Sequence, residues 1–158
     1  MKNHVRLSRL EKLKYMMQHH DELFPKVAFT IDSWRQERNS HFSCSLTRSQ
    51  EKKAKKCGTA ACALGSAAAY TPFRRMGLKL NKKAVPSFKR QTGLKAGAAL
   101  FGISVEDAEF LFMPNSYPDI IYVSTRDVVR HITVLINHYK QNPDSRGMKS
   151  SSAAALRT

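Results

Sequence analysis

Residues 57–70, CGTAACALGSAAAY, are the stretch from which this chain is best read. They are almost all small, and they lie between two basic, polar segments. Taken as a helix over 58–70, the stretch carries no side chain longer than Leu64 before Tyr70. Ala61, Gly65 and Ala69 fall at four-residue spacing, so they share one face that neighbouring backbones can approach closely. Thr71-Pro72 ends the helix, because the residue before a proline avoids the helical region. The expected role is a central helix on which the others pack.

Toward the N-terminus, residues 5–20 read as an amphipathic helix. Leu10, Leu13 and Met17, with Leu7 and Met16 beside them, form its apolar face, and Arg6, Arg9, Lys12 and Lys14 occupy the rest. Asp21 and Pro25 end it. Residues 23–34 (LFPKVAFTIDSW) alternate apolar and polar from Val27 to Ile31. With no second strand signal following, they are expected to lay Phe24, Phe29, Ile31 and Trp34 into the core as two turns. Residues 36–56 read as a polar loop that ends in lysines.

Toward the C-terminus, residues 77–88 (GLKLNKKAVPSF) read as a loop or short hairpin with Asn81 in its turn. Residues 91–101 form a helix closed by Gly102, a residue suited to the left-handed cap. Ser104 and Asp107 have capping-box spacing for the next helix, whose apolar positions are Ala108, Leu111 and Phe112, with Pro114 as the stop. Residues 115–123 form a connector that docks Ile120, Ile121 and Tyr122 on the core. Ser124 and Asp127 cap a last helix over 125–141, with Val128, Ile132, Leu135, Ile136 and Tyr139 as its buried stripe. Beyond Asn142 no apolar periodicity remains, and the tail is expected to be disordered or ordered only by a partner. The expected architecture is all-α: a single helical domain over 1–143, about five helices around the small-residue helix, long loops, and a flexible tail over 144–158.

A chain of 158 residues is long enough to bury one core without staples. Its sign of charge is the unusual quantity. Lys and Arg number 27 against 12 Asp and Glu, a formal +15 with a pI near 10.1. From Lys52 to Val105 there is no acidic residue, while Lys52, Lys53, Lys55, Lys56, Arg74, Arg75, Lys79, Lys82, Lys83, Lys89, Arg90 and Lys95 are basic. A solvated helix face usually mixes both signs, so this run favours a polyanionic partner: nucleic acid or an acidic protein face. Aromatics do not interleave with the lysines as a single-strand stacking platform requires. The expected phosphate contacts are Lys52, Lys53, Lys55, Lys56, Arg74, Arg75, Lys82, Lys83, Lys89 and Arg90.

Other chemistry is weaker. Residues 98–111 match a helix-turn-helix register, but the helix that would enter the groove carries Glu106, Asp107 and Glu109, which would face phosphates. A plain packed corner between two helices is the better reading. His41, Cys44, Cys57 and Cys62 supply four soft ligands, although Cys57-x4-Cys62 is not the usual knuckle spacing and a helix would splay the pair. Cys57 at a helix start could be an activated thiolate, but no orienting or oxyanion residue can be placed beside it. Small buried packing residues are the preferred role for Cys57 and Cys62. No catalytic residue, metal or cofactor is expected. No apolar secretory segment or membrane span is evident, and the chain is expected to be soluble and cytoplasmic.

The string Cys57-Gly58-Thr59-Ala60-Ala61-Cys62, with Gly65 following, resembles a CGT-x-x-C-x-x-G motif of small bacterial and phage proteins. A leading amphipathic helix, an aromatic segment matched by Phe29, Ile31 and Trp34, the turn Phe101-Gly102-Ile103 and the pair Leu111-Phe112 extend the likeness over residues 7–118. Ser66 departs from it, standing where an aromatic or histidine often follows the glycine, and the loop over 36–56 is long. The resemblance implies a helical fold and often a phage origin, which would put the chain in a host's cytoplasm or in a virion, and carries no activity with it. The function expected from the sequence is therefore non-enzymatic: a small basic accessory protein that binds nucleic acid without base specificity. The alternative is an interaction module or inhibitor docked on an acidic host or virion protein.

Overall fold

A computed structural model describes residues 1–30, 36–37, 59–118 and 123–148, with the backbone alone at 36, 37, 59 and 60. Seven α-helices dominate these residues: α1 Asn3–Gln18, α2 His20–Leu23, α3 Ala63–Ala69, α4 Thr71–Arg75, α5 Gly93–Phe101, α6 Val105–Phe112 and α7 Thr125–Gln141. A 3-10 turn, Pro114–Ser116, follows α6. The chain is thus mostly helical as expected, but not all-α. Six short strands build two small sheets: β1 Ala28–Phe29, β2 Gln36–Glu37 and β3 Thr59–Ala61 in the order β1-β3-β2, and β4 Lys79–Leu80, β5 Pro86–Phe88 and β6 Gln91–Thr92 in sequential order.

Helices α1 and α7 pack along each other, with the start of α1 against the end of α7, where Asn3 Nδ2 donates to the Tyr139 carbonyl at 2.9 Å. Their expected apolar stripes meet there. Leu10, Leu13, Met16 and Met17 of α1 and Val128, Ile132, Leu135, Ile136 and Tyr139 of α7 are all buried. Arg6, expected on the solvent face, is buried too, with its guanidinium 4.1 Å from the centre of the Tyr139 ring. The planar cation stacks on the aromatic face while its Nη1 donates to the Ser145 carbonyl, so α1 holds the chain beyond α7.

The small-residue stretch splits where one continuous helix was expected. Residues 59–61 are a strand, Cys62 is extended (ψ 176°), and the helix begins only at Ala63. The Cys62 sulfur accepts from the Gly65 N–H at 3.4 Å and so caps α3 in the manner of an N-cap serine. Strand β3 pairs in parallel with β1, Ala28 beside Ala60 and Phe29 beside Ala61, and antiparallel with β2. Residues 28–29 therefore form a strand rather than the expected turn. An alanine-rich run is compatible with either geometry, and β1 and β2 decide it by pairing with the backbone of 59–61. The whole of 63–68 is buried, so α3 has no solvent face along those residues and does act as the central element.

Glycine matters at two close positions. A Cβ at Gly97 of α5 would sit 3.0 Å from Phe112 Cε2 and 3.1 Å from Leu64 Cδ2, so only a hydrogen allows α3, α5 and α6 to close. Gly102 takes φ +67° and ends α5 as the expected left-handed cap, its N–H and that of Ile103 both donating to the Ala98 carbonyl. Edge-to-face rings run through the interior from Tyr70 to Phe73 to Phe101, with centroids 5.7 and 5.4 Å apart.

Both expected serine caps are present. The Ser104 hydroxyl accepts from Asp107 N at 3.0 Å, and Ser124 with Asp127 makes a reciprocal capping box. Asp107 does not complete the first box, because its carboxylate turns inward to the Tyr139 hydroxyl and the Met148 N–H. Within the expected flexible tail, residues 144–148 lie back on the domain through these contacts and through Ser145, whose hydroxyl lies 3.1 Å from His138 Nε2. Residues 149–158 lie outside the described residues, as do Ile31, Trp34, Ile120, Ile121 and Tyr122.

Candidate nucleic-acid interface

The second sheet grows directly out of the basic run. Helix α4 starts with Pro72 in its first turn and ends on Arg74 and Arg75, after which Gly77 (φ +102°) turns the chain into β4. Lys79 on β4 is opposite Ser87 on β5, and Ser87 is opposite Thr92 on β6. Pro86 and Phe88 are buried beneath, and Leu80 is partly so, because alternate residues of a strand take opposite faces. The outward row is thus Lys79, Ser87 and Thr92, about 10 Å across at the usual strand spacing.

Each end of the sheet is closed by a basic turn. Between β4 and β5, Asn81 Oδ1 accepts from the Lys83 and Val85 N–H groups at 2.9 and 3.0 Å, so the expected turn residue sets the loop that presents Lys82 and Lys83. Between β5 and β6, Lys89 and Arg90 are the two loop residues, since Phe88 pairs with Gln91. Residues 91 and 92 were expected to open a helix. They are strand instead, and α5 starts at Gly93. Gly77 lies beside the Phe88 ring, so the chain passes from α4 into β4 at the Lys89–Arg90 end of the sheet. Lys95 projects from the first turn of α5 near the opposite end, which β6 reaches after Thr92. The two basic turns stand about 14 Å apart, four extended residues along β5.

Arg74, Arg75, Lys79, Lys82, Lys83, Lys89, Arg90 and Lys95 are all exposed, and none forms an ion pair with a described residue. No carboxylate occurs anywhere between residues 59 and 105. The structure therefore places four of the ten expected contacts, Lys82, Lys83, Lys89 and Arg90, in the turns of one small sheet and adds Lys79 on it, while Arg74 and Arg75 end the helix before the sheet and Lys95 stands in the helix after it. Lys52, Lys53, Lys55 and Lys56 lie outside the described residues. Ser87 and Thr92, hydroxyls set between the cations, escaped the sequence reading. Only the two-residue hairpin places them outward, and Lys-Arg is not a recognisable hairpin turn.

The remaining candidates stand apart from this surface. Helix α6 shows Glu106 and Glu109 to solvent and buries Asp107, Ala108, Phe110, Leu111 and Phe112, so it is a packed corner with an acidic outer face. The Glu106 carboxyl is held below its ordinary range by its own backbone N–H and the Ser104 hydroxyl at the start of the helix. Cys62 is buried and reduced, and burial pushes its thiol up to about 11, the opposite of an activated nucleophile. His41, Cys44 and Cys57 lie outside the described residues, and among the described residues no three His, Cys, Asp or Glu side chains gather as metal ligands. Ser66, at the position where the motif departs, is buried with its hydroxyl 3.1 Å from His20 Nε2, so the pair is part of the core. His131 is stacked between Phe110 and Tyr117, centroids 4.1 Å on both sides, with Nδ1 2.9 Å from the Phe110 carbonyl. Burial raises the Tyr117 phenol well above its usual range, with a smaller contribution from the Asp127 charge.

No family model, no curated protein and no solved structure matches this chain. Among the described residues no helix is long and apolar enough to cross a membrane.

Proposed function

We propose that this chain is a non-enzymatic basic protein, of the phage accessory kind, that binds nucleic acid through its phosphates without reading base sequence. One observation carries the proposal: five exposed cations (Lys79, Lys82, Lys83, Lys89 and Arg90) stand on a single three-stranded sheet and its turns, with Arg74, Arg75 and Lys95 exposed on the helices either side of it in sequence, in a stretch without a carboxylate. Such a surface gains affinity mainly by releasing the counterions condensed on a polyanion. The lack of base specificity follows from what the surface omits. The exposed large apolar side chains among the described residues are Met1, Tyr15, Leu23 and Val105, and none stands on this sheet to stack a base. Nor does the acidic α6 suit a major groove.

The test is a titration of duplex DNA, single-stranded DNA and duplex RNA of unrelated sequences between about 50 and 250 mM salt. Six to eight phosphate contacts give a log–log salt slope of roughly −5 to −7 on B-DNA, with similar affinity for unrelated duplexes. Charge reversal at Lys52, Lys53, Lys55 and Lys56 together weakens DNA and RNA alike. Absence of binding at about 50 mM salt overturns the proposal and leaves an acidic protein face as the partner of the same cations.

A further inference from the structure

We infer that the Lys89–Arg90 turn is the phosphate-gripping tip of the basic sheet, kept in a costly backbone conformation because its two side chains are needed there. The inference rests on the nucleic-acid reading above and names the element on which that reading turns.

Phe88 pairs with Gln91, so only two residues join β5 to β6. Lys89 has φ +45° and Arg90 φ +66°, which makes the loop a type I′ turn. That turn matches the twist of the flanking strands, and it requires left-handed backbone at both loop positions. Asn-Gly and Asp-Gly are the residues that adopt it cheaply, whereas long side chains in this region are uncommon because Cβ crowds the following carbonyl. Two consecutive long side chains therefore destabilise the native state relative to Asn-Gly.

Among the described residues no side-chain hydrogen bond or ion pair offsets that cost. Both residues are exposed, and neither side chain forms a hydrogen bond or ion pair with a described residue. Lys89 has one weak contact, its Nζ 5.5 Å from the centre of the Phe88 ring. Two neighbouring cations also repel each other in the free protein. Strained backbone that no internal contact repays is found where a ligand uses it. A two-residue hairpin is also the stiffest support available on a surface. It holds an ammonium and a guanidinium on adjacent residues at a protruding tip, with little chain entropy left to lose on binding. The guanidinium fork grips two oxygens of a phosphodiester while the ammonium acts as a point charge on the same or the next phosphate. The left-handed Ala84 (φ +57°) in the other turn, immediately after Lys82 and Lys83, repeats the pattern at the far end of the sheet.

The test compares three full-length proteins on a 20-base-pair duplex: wild type, Lys89→Asn/Arg90→Gly and Lys89→Arg/Arg90→Lys. The first variant installs the turn's preferred residues, so its melting temperature is expected to rise by several degrees. Its affinity is expected to fall at least tenfold at about 50 mM salt, with a salt slope shallower by roughly 1.8, the value for two lost phosphates. The charge-conserving variant stays within about threefold of wild type and keeps the slope. Wild-type affinity in the Asn-Gly variant, or a lower melting temperature for it, overturns this inference and leaves the broader reading standing. A wild-type protein that binds neither DNA nor RNA overturns both.

Discussion

Asp107→Ala is expected to cost more than any change on the surface, because one carboxylate joins three separate pieces of chain. Asp107 is 1% exposed. Its Oδ2 accepts from the Tyr139 hydroxyl on α7, and its Oδ1 accepts from the Met148 N–H of the folded-back tail at 3.1 Å. Arg6 of α1 lies over the face of the same tyrosine ring. Burial raises the Tyr139 phenol far above its ordinary range, and the Asp107 hydrogen bond and charge raise it further, so the hydroxyl donates and stays protonated. Hydrogen bonds to a charged group contribute about 1.5–3 kcal/mol each, and removing the acceptor strands a buried hydroxyl and an amide. Relief from burying the charge offsets part of this, leaving a net loss of about 3–4 kcal/mol. For a domain of this size that lowers the melting temperature by roughly 6–16 °C.

Urea unfolding of wild type, Asp107→Ala, Tyr139→Phe and the double variant measures both the loss and its source. Because the two residues share one bond, the double variant should cost at least about 1.5 kcal/mol less than the sum of the singles. Asp107→Asn keeps an acceptor and falls between wild type and alanine. A loss under about 1 kcal/mol for Asp107→Ala, or additivity within about 0.5 kcal/mol, refutes the reasoning.

Two further perturbations test the packing around α3. Because burial raises the Cys62 thiol from 9.0 to about 11, the unfolded chain loses its proton first as pH rises. The thiol's contribution is therefore whole below pH 9 and is lost between about 9 and 11, an alkaline loss of about 2–3 kcal/mol. Urea curves from pH 8 to 11 should show that component in wild type and not in Cys62→Ser, while at pH 7 serine, itself a good N-cap, stays within about 1 kcal/mol of wild type. Gly97→Ala gains about 1 kcal/mol of helix propensity but drives a methyl against Phe112 and Leu64, both fully buried. Overpacking of about 1–3 kcal/mol wins, so thermal unfolding should occur a few degrees lower.

What was legible in the sequence had a local cause. Ser104, Ser124 and Gly102 act within one turn of themselves, so their caps follow from the residues alone. The stripes of α1 and α7 follow likewise from periodicity. Arg6 did not, because its burial depends on a tyrosine 133 residues later that presents a ring face to it. Strand β3 and the Lys89–Arg90 turn were hidden for related reasons. Ala-rich sequence favours a helix when taken alone, and Lys-Arg carries no turn signal. In both places the pairing strands override the local preference.

The small-residue stretch at 57–70 shows the division most clearly. By itself the sequence determined that this stretch would be the close-packed centre of a mostly helical domain, because residues without bulk can be covered from every side. It also determined the sign of the net charge, because charge is a sum over residues and needs no fold. Only the tertiary structure decided where strand gives way to helix at Cys62, through strand partners distant in sequence. Only the structure placed the cations of 79–90 on one sheet and its turns, because which residues are strand and which are turn is set by register, a property of paired strands rather than of either strand alone.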